Sequence, residues 1–256
     1  SKTPIYFDRK NCKINAGWVT TFNNYAIISK NRLTKLPKKI SLQEGVLFGC
    51  ALTTAYGSIF KDSKINLKKK NKVLVTGGGM IGQSILFFLN SENQDISILE
   101  QNIKKINFIK KIYPDFKIIK NYDQIKSNCY DYVYETTGSS KVIEKTYSAI
   151  KLSGKLLLIG VPHSKSKINI NTLDINYGKK IIGSYGGGVV PSKDIENIIT
   201  YLFRKKVILK NLYEKIYNFD DINFVIKQLM NGKIIKKPIL KLWKVTKLID
   251  QKNLKK

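Results

Sequence analysis

A strand that runs into three consecutive glycines and out again into an apolar helix constrains this chain more than any other feature. Val73-Leu74-Val75-Thr76 reads as a buried strand, Gly77-Gly78-Gly79 as a turn, and Met80-Ile81-Gly82 as the opening of a helix. A second strand, Ile96-Ser97-Ile98-Leu99, ends in the acid Glu100. Gly77 permits the tight turn, Gly79 carries no Cβ to hold the backbone away from a ligand, and Gly82 lets the helix pack close to the strand. The helix N-terminus then offers unpaired N–H groups and the positive end of its dipole to an anion. Strand, glycine turn, helix, strand and acid in this order are what a dinucleotide site requires. A lone glycine cluster marks many ordinary turns; the flanking strand, the helix and the acid at the proper distance set this one apart.

The rhythm of the surrounding sequence supports a parallel sheet. Short apolar strands are expected at Lys72–Val75, Ile96–Glu100, Phe116–Ile119, Tyr130–Glu135, Lys155–Val161 and Lys180–Gly183. They alternate with helices at Met80–Leu89, Ile103–Tyr113 (stopped by Pro114) and Ser140–Ile150. Six strands with crossover helices predict an α/β, doubly wound Rossmann sheet with its ligand at the strand C-termini. Outside that block the pattern changes. Thr20–Ser29 and Arg32–Leu36 look like short strands without crossovers. After the glycines Gly186-Gly187-Gly188, a helix is expected over Ser192–Lys205, then another capped by Asp220 and stopped at Gly232, then a strand at Ile239–Trp243. The two flanks are expected to form one second, mostly β, lobe around the nucleotide unit.

Composition narrows the function classes. A chain of 256 residues with 43% hydrophobic content buries a substantial core. It has no apolar run near the ~20 residues of a membrane helix, and its opening Ser-Lys-Thr-Pro-Ile-Tyr-Phe-Asp-Arg-Lys lacks the apolar core of a secretory signal. Cys12, Cys50 and Cys129 are too few and too scattered for a disulfide framework, so a reducing cytoplasm suits them. The net charge of +28 raises the question of nucleic acid. Its lysines are spread along nearly every element and arginine is rare, whereas nucleic-acid sites favour arginine concentrated on one face. The excess of Lys, Ile and Asn follows AT-rich coding, so no specific nucleic acid and no membrane partner is expected.

Further residues carry a resemblance. Gly49-Cys50-Ala51-Leu52-Thr53-Thr54-Ala55-Tyr56-Gly57-Ser58, the glycine turn, Tyr134-Glu135-Thr136-Thr137-Gly138 and Leu158-Ile159-Gly160-Val161 resemble segments of zinc-dependent alcohol dehydrogenases in the medium-chain dehydrogenase/reductase superfamily. So do Gly183-Ser184-Tyr185-Gly186-Gly187, Phe219-Asp220-Asp221-Ile222-Asn223 and Asn231-Gly232-Lys233, and nearly the whole chain is covered in order. The resemblance implies residues 1–48 as the C-terminal part of a GroES-like catalytic lobe, 49–185 as an NAD-binding domain, and 186–256 as a return to the catalytic lobe. It implies hydride transfer between an alcohol or aldehyde and NAD, in a homo-oligomer. Cys50 matches the last of three protein ligands to a catalytic zinc, and Thr54 a position near the nicotinamide. Glu100 matches the acid that binds both adenosine ribose hydroxyls, and Lys105 a lysine near the same ribose. Gly77, Gly79, Met80, Ile81, Gly82, Thr137, Gly160, Val161 and Tyr185 fall among the coenzyme contacts, with Lys236 near a basic position for the pyrophosphate.

The departures from that family are as informative. Its first zinc cysteine, its His-Glu pair and its four structural-zinc cysteines belong to an N-terminal lobe that has no counterpart in these 256 residues. The single histidine, His163, follows the fifth strand and does not match a ligand. Zinc is therefore expected of an intact family member and doubtful in this chain. A non-catalytic, NAD-binding redox sensor is the first rival reading, and a basic nucleic-acid-binding protein on a Rossmann frame the second.

Overall fold

The computed structural model describes residues 5–7, 13–15, 22, 28, 30 and 33–242. Its centre is a parallel sheet of six strands: β1 (Lys72–Thr76), β2 (Asp95–Leu99), β3 (Lys117–Ile119), β4 (Tyr130–Glu135), β5 (Ile150–Leu158) and β6 (Lys180–Gly183), in the order β3-β2-β1-β4-β5-β6. This is the six-stranded doubly wound Rossmann sheet expected from the sequence. The strand sequence reverses at β1, whose neighbours are β2 on one side and β4 on the other, which opens a crevice at their C-terminal ends.

Each buried strand is apolar on both faces because helices cover both. In β1, Val73 and Val75 point to one layer and Leu74 to the other. The first layer holds α1 (Ala51–Gly57), α2 (Met80–Ser91), α3 (Ile103–Ile112) and α5 (Pro191–Lys205), and the second holds α4 (Ser140–Ala149). Helices α1, α2 and α5 meet in an aromatic cluster in which the Tyr56 and Phe60 centroids lie 4.6 Å apart, and Phe88 and Tyr201 5.4 Å. Such pairs prefer edge-on or offset geometry and add to the burial of their area. The glycines after β6 close on α1: a Cβ on Gly57 would lie 2.0 Å from the Gly187 carbonyl oxygen. Among the described residues no helix is long and apolar enough to cross a membrane.

The flanks differ more from expectation. Residues 33–36 form no strand; Arg32, nearly all of Thr20–Ser29, Cys12 and Trp243 lie outside the described residues. Ile5–Phe7 and Lys13–Asn15 pair as an antiparallel hairpin. The expected helix cap at Asp220 is a 3-10 turn, Phe219–Asp221, and α6 (Ile222–Met230) begins after it, with Asp221 as a cap that makes no side-chain bond. Gly232 does stop that segment, with φ +62°. The closing strand is β8 (Lys237–Lys241), and it pairs in parallel with β7 (Tyr213–Asn218), a strand not read from the sequence. The strand expected at Lys155–Val161 starts at Ile150 and ends at Leu158 instead. Ser153, at φ +66°, and Gly154 form an irregularity that the strand passes through, with a register shift against β4. The Phe22 and Phe219 rings lie tilted to each other with centroids 6.2 Å apart, which brings the two flanks together.

Asp194 fixes the start of α5. It is 6% exposed, accepts from the Val190 N–H at 2.6 Å and from Lys61 Nζ at 2.8 Å, and ties the helix to the segment after α1. Burial pushes its carboxyl pKa up, but the Lys61 ammonium and the Val190 N–H outweigh burial and hold it below the ordinary value. A carboxyl depressed in the fold contributes stability above its unfolded pKa of about 3.9 and loses it as pH falls through the folded value. Asp194→Asn is therefore expected to cost about 1–3 kcal/mol at neutral pH and to flatten the acid limb of the melting curve below about pH 4. Thermal melts from pH 7 to pH 2 test this, and an unchanged acid limb would refute it.

Candidate dinucleotide site

The site is built on backbone that only glycine adopts. Gly77 ends β1 at φ +85°, and its N–H donates to the Leu99 carbonyl at 2.8 Å, which ties the turn to β2. A Cβ on Gly82 would lie 1.8 Å from the Gly77 carbonyl oxygen, so the first turn of α2 rests directly on the glycine turn. Gly79 is the N-cap of α2, and a Cβ placed on it meets nothing within 4 Å. The space in front of it is a cavity of about 630 Å³. Gly77, Gly79, Met80 and Ile81 line one wall; Glu100, Gln101 and Lys105 another; Thr136, Thr137 and Ser139, from the end of β4, a third. The Gly79 N–H has no acceptor among the described residues, and the helix dipole adds to its pull on an anion.

Two carboxylates organise these walls. Glu100 is 8% exposed, and its Oε2 accepts from the Gly78 N–H at 2.7 Å. Its Oε1 accepts from the N–H groups of Gln101 and Asn102, both at 2.8 Å, and Lys105 Nζ stands 3.8 Å from Oε2. Asn102 caps α3 by accepting from the N–H groups of Lys104 and Lys105. Glu135 is fully buried at the end of β4, where it accepts from the N–H groups of Thr137 and Gly138 and from the hydroxyls of Thr76 and Thr137. Among the described residues no cation pairs with it; these donors satisfy the carboxylate, and the Thr136-Thr137-Gly138 turn is shaped around it. In sequence Glu135 is only an acid at a strand end, and its role is set by the turn that folds back over it.

Other sequence-derived positions fall outside this cavity. Gly160 packs behind it, where a Cβ would lie 2.3 Å from the Gly138 nitrogen, whereas Val161 and Tyr185 are exposed. Lys236 reaches over α3, its Nζ 5.7 Å from the Phe108 ring centroid. Thr54 is buried in α1, and its carbonyl accepts from the Ser58 hydroxyl at 2.8 Å. Cys50, exposed, lies on a second, largely apolar cavity of about 550 Å³ with Phe22, Val46, Val225, Leu229 and Ile239. Met80 lines both cavities.

The donor set for a metal is a separate matter. Among the described residues no three His, Cys, Asp or Glu side chains come together as a metal-binding group. His163 is exposed beyond β5 and its Nδ1 accepts from the Lys165 N–H. Cys129 is half-buried, with its N–H donated to the Ala149 carbonyl. Among the described residues Cys50 thus has no partners for a site that needs three protein ligands, and these residues do not fit a catalytic zinc.

No protein-family model matches the chain. Comparison with individual proteins is more informative. Over 232 residues, 86% of this chain, it is 23% identical to alcohol dehydrogenase-like 5 of Arabidopsis thaliana. Benzyl alcohol dehydrogenase from Acinetobacter calcoaceticus superposes with a TM-score of 0.78 at 22% identity, covering 88% of this chain and 64% of that one. Acetophenone reductase from Geotrichum candidum, in complex with NAD, superposes with a TM-score of 0.65 at 16% identity, covering 80% and 57%. The chain spans about three-fifths of the length of the curated relatives it matches, 59% in the Arabidopsis protein. By sequence and by fold the chain is thus similar to alcohol dehydrogenases, over about three-fifths of their length.

Proposed function

We propose that this chain is the coenzyme-binding part of an NAD-dependent, alcohol dehydrogenase-like oxidoreductase. The observation that carries the reading is the cavity between Gly79 and Glu100, with open space where a glycine Cβ would stand and a carboxylate at the end of the second strand. The acetophenone reductase of the same fold holds NAD. Gly77 and Gly82 set the turn; Gly79, Met80 and Ile81 present the α2 N-terminus to the pyrophosphate; Glu100 and Lys105 meet the adenosine ribose; Thr137 lies on the opposite wall. Gly160, Val161, Tyr185 and Thr54, which lie outside the cavity, are assigned to the nicotinamide half by the family resemblance alone. Residues 49–185 would form the coenzyme unit, with 1–48 and 186–256 as parts of a second lobe.

A bound nicotinamide supplies the hydride acceptor for alcohol oxidation, or the donor for the reverse. The chain's own residues bind and orient it. A carboxylate has about four lone-pair sites, and three at Glu100 are taken by backbone N–H groups. Sequence reasoning gives both ribose hydroxyls to Glu100; the remaining acceptor position serves one, with Lys105 beside it as a donor. Cys50 alone does not make a zinc site. The substrate class is a small alcohol or aldehyde, in a homo-oligomer working in the cytoplasm, where Cys50 and Cys129 stay reduced.

Cofactor choice tests this assignment. A 2′-phosphate would meet the Glu100 carboxylate at close range, so NAD is expected to bind more tightly than NADP. Glu100→Ala narrows that gap, and also destabilises the chain by about 1–3 kcal/mol because the N–H groups of Gly78, Gln101 and Asn102 lose their acceptor. Calorimetry with both nucleotides, with melting followed in parallel, decides it; tighter NADP binding by the unaltered protein would overturn the choice of NAD.

A further inference from the structure

Gln83 is a buried polar side chain on α2 that neither the core nor the cavity wall explains. It lies one turn into the helix and is 3% exposed. Its Nε2 donates to two carbonyls that are far apart in sequence, Gly78 and Ile235, each at 2.9 Å. Its Oε1 is buried without a hydrogen-bond partner among the described residues. A leucine or methionine of similar size would carry no such orphan acceptor. The function of the amide must lie in what its NH₂ group holds.

We propose that Gln83 is a positioning residue for the phosphate-binding peptide, aiming the Gly79 N–H into the dinucleotide cavity. In a planar trans peptide the C=O and the following N–H point to opposite sides, and the described chain contains no cis bond. Gln83 draws the Gly78 carbonyl toward the helix, so the N–H of Gly79 turns the other way, into the space that Gly79 lines. The preceding peptide is held as well, since the Gly78 N–H donates to Glu100. Gly78 is thus pinned at both ends within a run of three glycines, otherwise the loosest backbone available. The second Nε2 proton holds Ile235, and with it the segment between α6 and β8. That segment also packs on α3, where a Cβ on Gly232 would stand 2.7 Å from Asn102 Nδ2. The donor is therefore oriented before any phosphate arrives, and binding need not first order the turn.

The proposal rests on the dinucleotide reading, and its test separates the two. Wild type and Gln83→Leu are titrated with NADH, ADP-ribose and adenosine, with circular dichroism and melting recorded for each. Affinity for NADH and ADP-ribose is expected to fall about tenfold or more, while adenosine, which has no pyrophosphate, stays within about twofold. An unchanged NADH affinity, or an equal loss for all three ligands, overturns the role of Gln83 and leaves the dinucleotide reading standing. If wild type binds none of them, the dinucleotide reading itself fails and this proposal fails with it. Should Gln83→Leu not fold, Gln83→Glu carries the test. The protonated acid keeps one O–H donor for the Gly78 carbonyl and the carboxylate none, and burial raises the pKa of such a group. NADH affinity of the folded Glu variant then falls as pH rises through that pKa while wild type stays level; a flat profile overturns the proposal.

Discussion

Gly82→Ala is expected to lower stability by about 3 kcal/mol or more, a drop in melting temperature of roughly 6–12 °C. The added methyl would lie 1.8 Å from a backbone oxygen, that of Gly77, and no flexible side chain stands there to yield. Either α2 lifts off the glycine turn or the turn itself rearranges, and dinucleotide binding is lost in both cases. Gly79→Val behaves in the opposite way. Its side chain enters open space, at φ −74°, which any residue adopts, so the fold survives. That open space is where the pyrophosphate is placed, and affinity should fall at least about tenfold, or about 1.4 kcal/mol. Calorimetric melting and NADH fluorescence titration on the two variants separate these effects. A stable Gly82→Ala would contradict the packing described for α2, and a Gly79→Val with full affinity would reduce the turn to a structural one.

The second large effect concerns turnover. The 256-residue chain is expected to bind dinucleotide and yet to show no zinc-dependent oxidation of short or aromatic alcohols above background. Cys50 supplies one thiolate, His163 stands apart, and no other Cys or His falls at a sequence position matching the ligands of the related dehydrogenases. Without a metal the alcohol proton has no strong acidifying partner, and rate then rests on positioning alone. Assays with metal content measured on the same sample decide the matter. One tightly held zinc per chain together with turnover would show that the ligands have been misplaced. Dinucleotide binding without turnover would leave the sensor reading and the catalytic-part reading side by side, to be separated by adding the N-terminal lobe of a related alcohol dehydrogenase in trans.

The sheet was legible because burial on both faces writes itself as uninterrupted apolar runs. Val73-Leu74-Val75 and Leu156-Leu157-Leu158 leave no room for another assignment once helices alternate with them. β7 was not legible: Tyr213-Glu214-Lys215-Ile216-Tyr217-Asn218 is half-covered and polar, and its partner among the described residues is β8, some twenty residues on. The early part of β5 was hidden by Ser153 and Gly154, which look like a breaker; the strand instead passes through them, with Ser153 at positive φ. In the site, Gly77, Gly79 and Glu100 announce themselves by spacing. That Glu100 already holds three backbone N–H groups is a property of the returning chain, invisible in a string of letters. Glu135 and Gln83 share this difficulty, since a buried acid and a buried amide are recognised only by what folds around them.

The contact between Gly57 and Gly187 has a consequence for how this chain can vary. Two residues in mutual contact usually drift together, a larger one here offset by a smaller one there. That exchange is closed at this place. What a side chain on Gly57 would strike is the carbonyl of Gly187, which no substitution at 187 removes, and Gly187 itself sits at φ +75° against the Thr54 carbonyl. Each position is fixed by the other's backbone, so the pair has no compensatory route. The junction between α1 and the loop after β6 is thus a frozen point about which the neighbouring sequence is free to diversify.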